Sequence, residues 1–288
     1  MLALEGEGLM MLNEGLMMLN QGFRRRLLST ASPARRTKIL CYGDSNTWGF
    51  DPAGPPNPQR HPTRLPEHDR WTGRLQQALG HARFHVVDEA LNARTTVFDD
   101  PTSPCFGQYD CSGRTYLMPC LHSHKPIDLV VLALGTNDMK SYFNASPEAI
   151  AGGMAVLVND IMVSSGTGAA ASSPNRKHAD GIVPSDSDSD IPAGPPPPPK
   201  VLLLTPPPIL ETPTCEAWSF GGTAHKALAF PALWEGVAGN AWPSRVEVLH
   251  LKDVAEVSPI DGIHFAGGES QRAIAEAVHA KVVEMLSE

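Results

Sequence analysis

Asp128-Leu129-Val130-Val131-Leu132-Ala133-Leu134-Gly135-Thr136-Asn137-Asp138 sets the fold class. Leu129 to Leu134 is apolar without interruption, too short for a buried helix and stopped by Gly135, so it reads as a strand covered on both faces. Strands of that kind occur in parallel sheets. Four further runs fit the same sheet: Lys38-Ile39-Leu40-Cys41-Tyr42, Phe84-His85-Val86-Val87, Val201-Leu202-Leu203-Leu204 and Val246-Glu247-Val248-Leu249-His250-Leu251. Helical patterns lie between and after them, at Trp71 to Leu79, at Ser146 to Met162 and at Gly268 to Leu286. The first carries Trp71, Leu75 and Leu79 on one stripe. This alternation predicts an α/β protein, a doubly wound five-stranded parallel sheet with helices on both faces and a site at the carboxyl ends of the strands.

The rest of the composition bounds the function. A chain of 288 residues with 42% hydrophobic and 19% charged residues buries a core without disulfides. Its five cysteines are an odd number with no C-x-x-C pair, which favours a reducing, intracellular setting and disfavours a zinc ribbon. A net charge of −8 excludes a phosphate backbone as the main partner. No run of about 18 apolar residues is present to span a bilayer, so a soluble protein is expected.

Two segments fall outside the alternating pattern. Residues 1–36 contain a tandem repeat, Glu7 to Asn13 followed by Glu14 to Asn20, then the basic stretch Phe23-Arg24-Arg25-Arg26-Leu27-Leu28-Ser29. This reads either as a disordered tail, in a cytoplasmic protein, or as a transit peptide for a mitochondrion or other organelle. Residues 164–199, with alternating Ser and Asp from Ser185 and a proline run from Pro195 to Pro199, read as a low-complexity surface insertion before the fourth strand.

Three polar clusters sit where the sheet rule places a site. The first strand ends in Gly43-Asp44-Ser45-Asn46-Thr47-Trp48-Gly49, the third in Gly135-Thr136-Asn137-Asp138, and the fifth leads to Asp261-Gly262-Ile263-His264. Any one alone is explained by a helix cap or a loop hydrogen bond. Together they supply a hydroxyl nucleophile, a base, an orienting carboxylate and an amide donor at one sheet edge. Ser45 is then the nucleophile, His264 its base and Asp261 the group that fixes the imidazole tautomer. The N–H group of Ser45 and the side chain of Asn137 are candidate oxyanion donors. Asp44 reads as structural, holding the turn through backbone bonds.

These residues resemble the four blocks of the SGNH (GDSL-type) hydrolases, led by Ser, Gly, Asn and His. Ser45, Asn137 and Asp261 with His264 match the first, third and fourth blocks. Ala90-Leu91-Asn92-Ala93-Arg94-Thr95-Thr96 matches the second, with Ala93 in place of the usual glycine; the resemblance implies that the backbone N–H at this position is a further oxyanion donor, and alanine retains it. Asn46 stands where the common pattern has leucine. More narrowly, Thr47-Trp48-Gly49, Arg70-Trp71-Thr72-Gly73, Asp99-Asp100-Pro101-Thr102 and Asp261-Gly262-Ile263-His264-Phe265 resemble the arylesterase/acyltransferase branch. The resemblance covers Thr37 to the end apart from the insertion. It implies a flavodoxin-like three-layer α/β/α sandwich, no metal or other cofactor, homo-oligomers, and an acyl-enzyme route for short acyl and aryl esters.

Other residues carry open readings. Trp48 and Phe50 line the substrate pocket or pack in the core. His122 and His124 form an H-x-H that reads as surface imidazoles, and Arg94 reads as one half of a structural ion pair or as a group facing an acidic part of the substrate. A catalytically silent binding protein acting through the proline-rich insertion is the alternative from another class. A nucleotide-binding reading lacks a G-x-G-x-x-G or G-x-x-x-x-G-K-[ST] loop after any candidate strand.

Overall fold

The computed structural model describes residues 35–54, 62–102, 109–164, 166–169 and 195–287. The tandem repeat, the basic N-terminal stretch and most of the insertion, 170–194, lie outside the described residues. The chain divides into two units, 1–36 and 37–288, and the second carries the sheet, the helices and the polar clusters.

Five strands form one sheet: β1 (Thr37–Gly43), β2 (Phe84–Ala90), β3 (Leu129–Ala133), β4 (Lys200–Thr205) and β5 (Val246–His250). Every pairing is parallel, in the order β2-β1-β3-β4-β5. This is the doubly wound arrangement in which the winding reverses between β1 and β3, opening a crevice beyond their carboxyl ends. Among the described residues seven helices accompany it: α1 (Ser45–Trp48), α2 (Trp71–Leu79), α3 (Gly113–His124), α4 (Pro147–Val163), α5 (Pro213–Ala217), α6 (Phe230–Ala241) and α7 (Glu269–Ser287).

Alternation along the strands divides the core into two layers. Leu40, Tyr42, Val130, Leu132, Val201 and Leu203 face a layer that includes Leu117, Leu121, Met154, Leu157 and Trp234 from α3, α4 and α6. Ile39, Cys41, Leu129, Val131, Leu202 and Leu204 face the other, with Leu75 of α2 and Ile274 and Val278 of α7. A hydrogen bond from Trp71 N to Gln271 Oε1 at 2.9 Å ties α2 to α7.

All five expected strands and three expected helices are present, with β2 running three residues further, to Ala90. Two long helices were hidden by their own residues. Helix α3 contains Pro119, a residue that removes an intrahelical hydrogen bond, and α6 has a proline in its first turn and two glycines, which read as loop signals. Cys41, Cys111, Cys120 and Cys215 are buried, and among the described residues no helix is long and apolar enough to cross a membrane.

The described ends of the insertion lie at the sheet edge opposite the crevice. Ile127 N donates to Thr167 O at 2.9 Å, Ala169 N to Ile127 O at 3.1 Å and Lys200 N to Asp128 O at 3.0 Å, all at the amino ends of β3 and β4. If the ester hydrolysis that the resemblance implies holds, replacing 170–194 with a short Gly/Ser linker should leave kcat/KM on p-nitrophenyl acetate within about threefold and stability unchanged or slightly higher. A tenfold or larger fall, with the oligomeric state unchanged, makes the segment a lid.

Candidate active site

At the end of β1 the backbone must pass very close to α1. A Cβ on Gly43 would lie 2.1 Å from Thr47 Oγ1, so only glycine fits. Asp44 then caps the helix, its Oδ1 accepting from Asn46 N at 2.9 Å, and Ser45 becomes the first helical residue. The Ser45 side chain thereby sits over the β1 end of the crevice, in a residue only 6% exposed.

The partner loop follows β5. Gly262 turns at φ 78°, and a Cβ there would meet Leu210 O at 2.2 Å. The tight turn folds the Asp261 carboxylate back onto its own loop, where Oδ1 accepts from Ile263 N at 2.9 Å and His264 N at 3.0 Å. Oδ2 lies 2.7 Å from His264 Nδ1, and His264 Nε2 lies 2.8 Å from Ser45 Oγ. Hydroxyl, imidazole and carboxylate thus form one hydrogen-bonded line. Burial pushes the Asp261 carboxyl up, but the imidazole hydrogen bond and charge and the two backbone donors outweigh it and hold it below the ordinary range. Its contribution to stability is therefore present at neutral pH and is lost only as pH falls through that lowered value.

The second and third blocks meet beside this line. Asn137 Nδ2 donates to Arg94 O at 3.1 Å, which places the amide next to the Ala93 turn. Thr96 N donates to Asp138 Oδ1 at 3.0 Å and Thr96 Oγ1 donates to the same carboxylate. Lys140 Nζ pairs with Asp100 Oδ2 at 2.7 Å. These bonds lace 93–102 to 137–140 and fix Ala93 and Asn137 together. Ala93 has φ 62°, the left-handed region, where an L side chain costs about 1–2 kcal/mol. The usual glycine is therefore explained by backbone conformation, and alanine retains the N–H at some strain.

Arg94 differs from its expected role as an ion-pair partner. Its Nη1 donates to the carbonyls of Gly43 at 3.0 Å and Glu89 at 2.6 Å, and the guanidinium lies 4.1 Å from the Tyr42 ring centroid. It clamps the ends of β1 and β2.

Phe50 stacks on the His264 ring with centroids 4.1 Å apart. The Trp48 ring faces the Arg64 guanidinium at 4.9 Å. Two residues that sequence reasoning passed over also act here. Trp218 stands edge-on to Phe50 at 5.8 Å and to His264 at 5.9 Å. Asn46 Oδ1 accepts from Phe265 N at 3.1 Å and its Nδ2 donates to Ile263 O at 3.3 Å, so its side-chain amide staples both sides of His264 to the serine turn. The departure from leucine was the signal for Asn46. Nothing near Trp218 in the sequence marked it.

Two buried carboxyls flank the site. Burial pushes Asp44 up to about 6 against the Asn46 N–H and the charge of His264, and pushes Asp138 up to about 6 against its bonds from Thr96. A raised carboxyl ionises earlier in the unfolded chain, so stability falls as pH rises from the ordinary carboxylate range through about 6. Asp44→Asn keeps an acceptor for Asn46 N and removes that penalty. Its stability relative to wild type should rise by on the order of 2 kcal/mol across this interval. Thermal unfolding at several pH values checks it, and a pH-independent difference contradicts it.

No family model and no curated protein matches the sequence. Solved structures do. An aryl esterase of M. smegmatis is 34% identical, with a TM-score of 0.67 over 86% of this chain and 99% of its own. A carbohydrate acetylesterase from Sinorhizobium meliloti is 33% identical, with a TM-score of 0.68 over 87% of this chain and 100% of its own. A lipase/acylhydrolase from Enterococcus faecalis, at 16% identity and a TM-score of 0.51, shares the fold alone. With the motif blocks and the sheet order, these matches make the chain a member of the SGNH (GDSL-type) hydrolase family, in its arylesterase branch, and a carboxylic ester hydrolase.

Proposed function

We propose that the chain is a serine esterase that cleaves short-chain or aryl esters through an acyl-enzyme. The hydrogen-bonded line from Ser45 Oγ through His264 to Asp261 carries this reading. A serine hydroxyl is a weak nucleophile until a base accepts its proton, and His264 Nε2 lies within transfer distance. Asp261 keeps the other imidazole proton on Nδ1, which leaves the Nε2 lone pair directed at Ser45, and stabilises the imidazolium that forms. As Oγ bonds to the ester carbon, the carbonyl oxygen becomes negative. The N–H groups of Ser45 and Ala93 and the Asn137 amide receive that charge; one Asn137 Nδ2 hydrogen is held by Arg94 O and the second is left for the substrate. His264 then returns the proton to the departing alkoxide. Water, deprotonated by His264, attacks the acyl carbon, the carbon–Oγ bond breaks, and His264 returns that proton to Ser45 Oγ as the acid leaves.

Phe50 and Trp218 flank the imidazole and form apolar walls suited to a small acyl group or an aromatic alcohol. The same walls favour an alcohol over water as the second nucleophile, so acyl transfer to alcohols belongs to this proposal. A homo-oligomer, implied by the branch resemblance, is tested by size-exclusion chromatography with light scattering.

A p-nitrophenyl ester series of increasing acyl length, with and without a competing alcohol, tests the substrate range. Rates falling steeply with chain length support it, and equal rates on long acyl chains contradict it. Asn137→Ala should lower kcat about 10²–10³-fold with little change in melting temperature. Parallel losses of stability and activity would instead make Asn137 a structural cap. A wild-type protein that neither reacts with a fluorophosphonate probe nor turns over any ester favours the silent binding protein.

A further inference from the structure

We propose that Glu89, Cys120 and His124 form a binding site for a divalent ion of the zinc class, separate from the serine array. Helix α3 carries Cys120 and His124 four residues apart, hence on one face. Glu89 lies on the edge strand β2, two residues after Val87, which packs against the same core layer as α3, so its side chain leaves the sheet on that side. The thiol sulfur, an imidazole nitrogen and a carboxylate oxygen lie within 4.8 Å of one another. Tetrahedral zinc, with bonds of about 2.0–2.3 Å, needs ligand atoms roughly 3.3–3.8 Å apart. Only small side-chain adjustments separate the two arrangements.

The H-x-H pair splits between two environments. His122 is exposed, whereas His124, expected as a surface imidazole, is half-buried with Nε2 2.7 Å from Glu89 Oε1. An ion would replace the proton shared by that pair and draw in the sulfur behind it. Cys120 is fully buried, while the Glu89 and His124 side chains are 23% and 28% exposed, which gives an entry path and room for water as a fourth ligand. Thiolate, imidazole and carboxylate together match zinc rather than calcium or magnesium. The thiolate and carboxylate neutralise the dication. On binding, the metal–sulfur bond forms as the Cys120 proton passes to solvent, and His124 keeps its remaining proton on Nδ1. The bound ion would join α3 to β2 next to the Glu89 carbonyl that Arg94 clamps.

The test uses the full chain, reduced, stripped with EDTA and freed of chelator, titrated with Co²⁺ and then Zn²⁺. One equivalent of Co²⁺ should give a thiolate-to-cobalt charge-transfer band that Zn²⁺ abolishes. Cys120→Ser should lose the band, and His124→Ala and Glu89→Gln should each weaken Co²⁺ binding at least about tenfold. Each variant should retain fluorophosphonate labelling, which reports an intact fold. If Cys120→Ser fails to fold, the other two variants decide. No band in the wild type, a band that survives in folded Cys120→Ser, or binding unchanged in His124→Ala and Glu89→Gln overturns the proposal.

Discussion

Ser45→Ala should abolish fluorophosphonate labelling and lower kcat on p-nitrophenyl acetate by about 10⁶, to the level that oxyanion donors and binding alone sustain. The size follows from the arrangement around Ser45. His264 Nε2 has one hydroxyl at 2.8 Å to activate, and the acyl-enzyme needs that oxygen. The fold should survive, because the Asp44 cap and the Asn46 staple do not use the serine side chain. Melting temperature and circular dichroism close to wild type, with activity gone, are the expected pair of results. Retention of more than about a thousandth of wild-type activity, with contamination excluded, places the nucleophile elsewhere.

Asp261→Asn should cost about 10⁴ in kcat while leaving KM near wild type. An asparagine oxygen can still accept the N–H groups of Ile263 and His264, which now bond to Oδ1 at 2.9 and 3.0 Å. Its amide then faces His264 Nδ1 as a donor. The imidazole must accept there, which moves its proton to Nε2 and removes the lone pair that Ser45 needs. The variant also loses the carboxyl held below its ordinary range by His264 and the loop N–H groups, so the stability gained above that range should disappear. Raising the pH should not restore the variant, because the tautomer is set by the asparagine amide and not by a proton that base removes. A loss below tenfold would show that Asp261 orders the loop without acting on the imidazole.

The strands and the polar residues at their ends could be read from the sequence because both are local. The apolar run from Leu129 to Leu134 identifies a buried strand without knowledge of its neighbours, and the rule for doubly wound sheets then brings Ser45, Asn137 and His264 to one edge. Helices α3 and α6 were hidden because Pro119 and the α6 glycines oppose helix locally, while packing of Leu117, Leu121 and Trp234 against the sheet overrides that preference. Asn46 and Trp218 depend on contacts across many residues of chain: Asn46 acts on backbone groups at 263 and 265, and Trp218 on a ring at 264. Glu89, Cys120 and His124 converge because the last residue of α3 reaches a side chain on β2, a contact that spacing does not encode. Ala93 shows an intermediate case. Its block was legible, but the reason the position favours glycine became visible only with the left-handed turn.

The proposed chemistry stands or falls on a covalent acyl group at Ser45. Rapid acid quench of the wild-type protein reacting with p-nitrophenyl acetate, followed by peptide mass mapping, looks for that group itself. One acetyl group on the peptide containing Ser45, accumulating with a burst of p-nitrophenol and absent in Ser45→Ala, is the expected result. An acetyl group on another residue that turns over at the catalytic rate, or hydrolysis at the full rate without any acylated peptide, would contradict it.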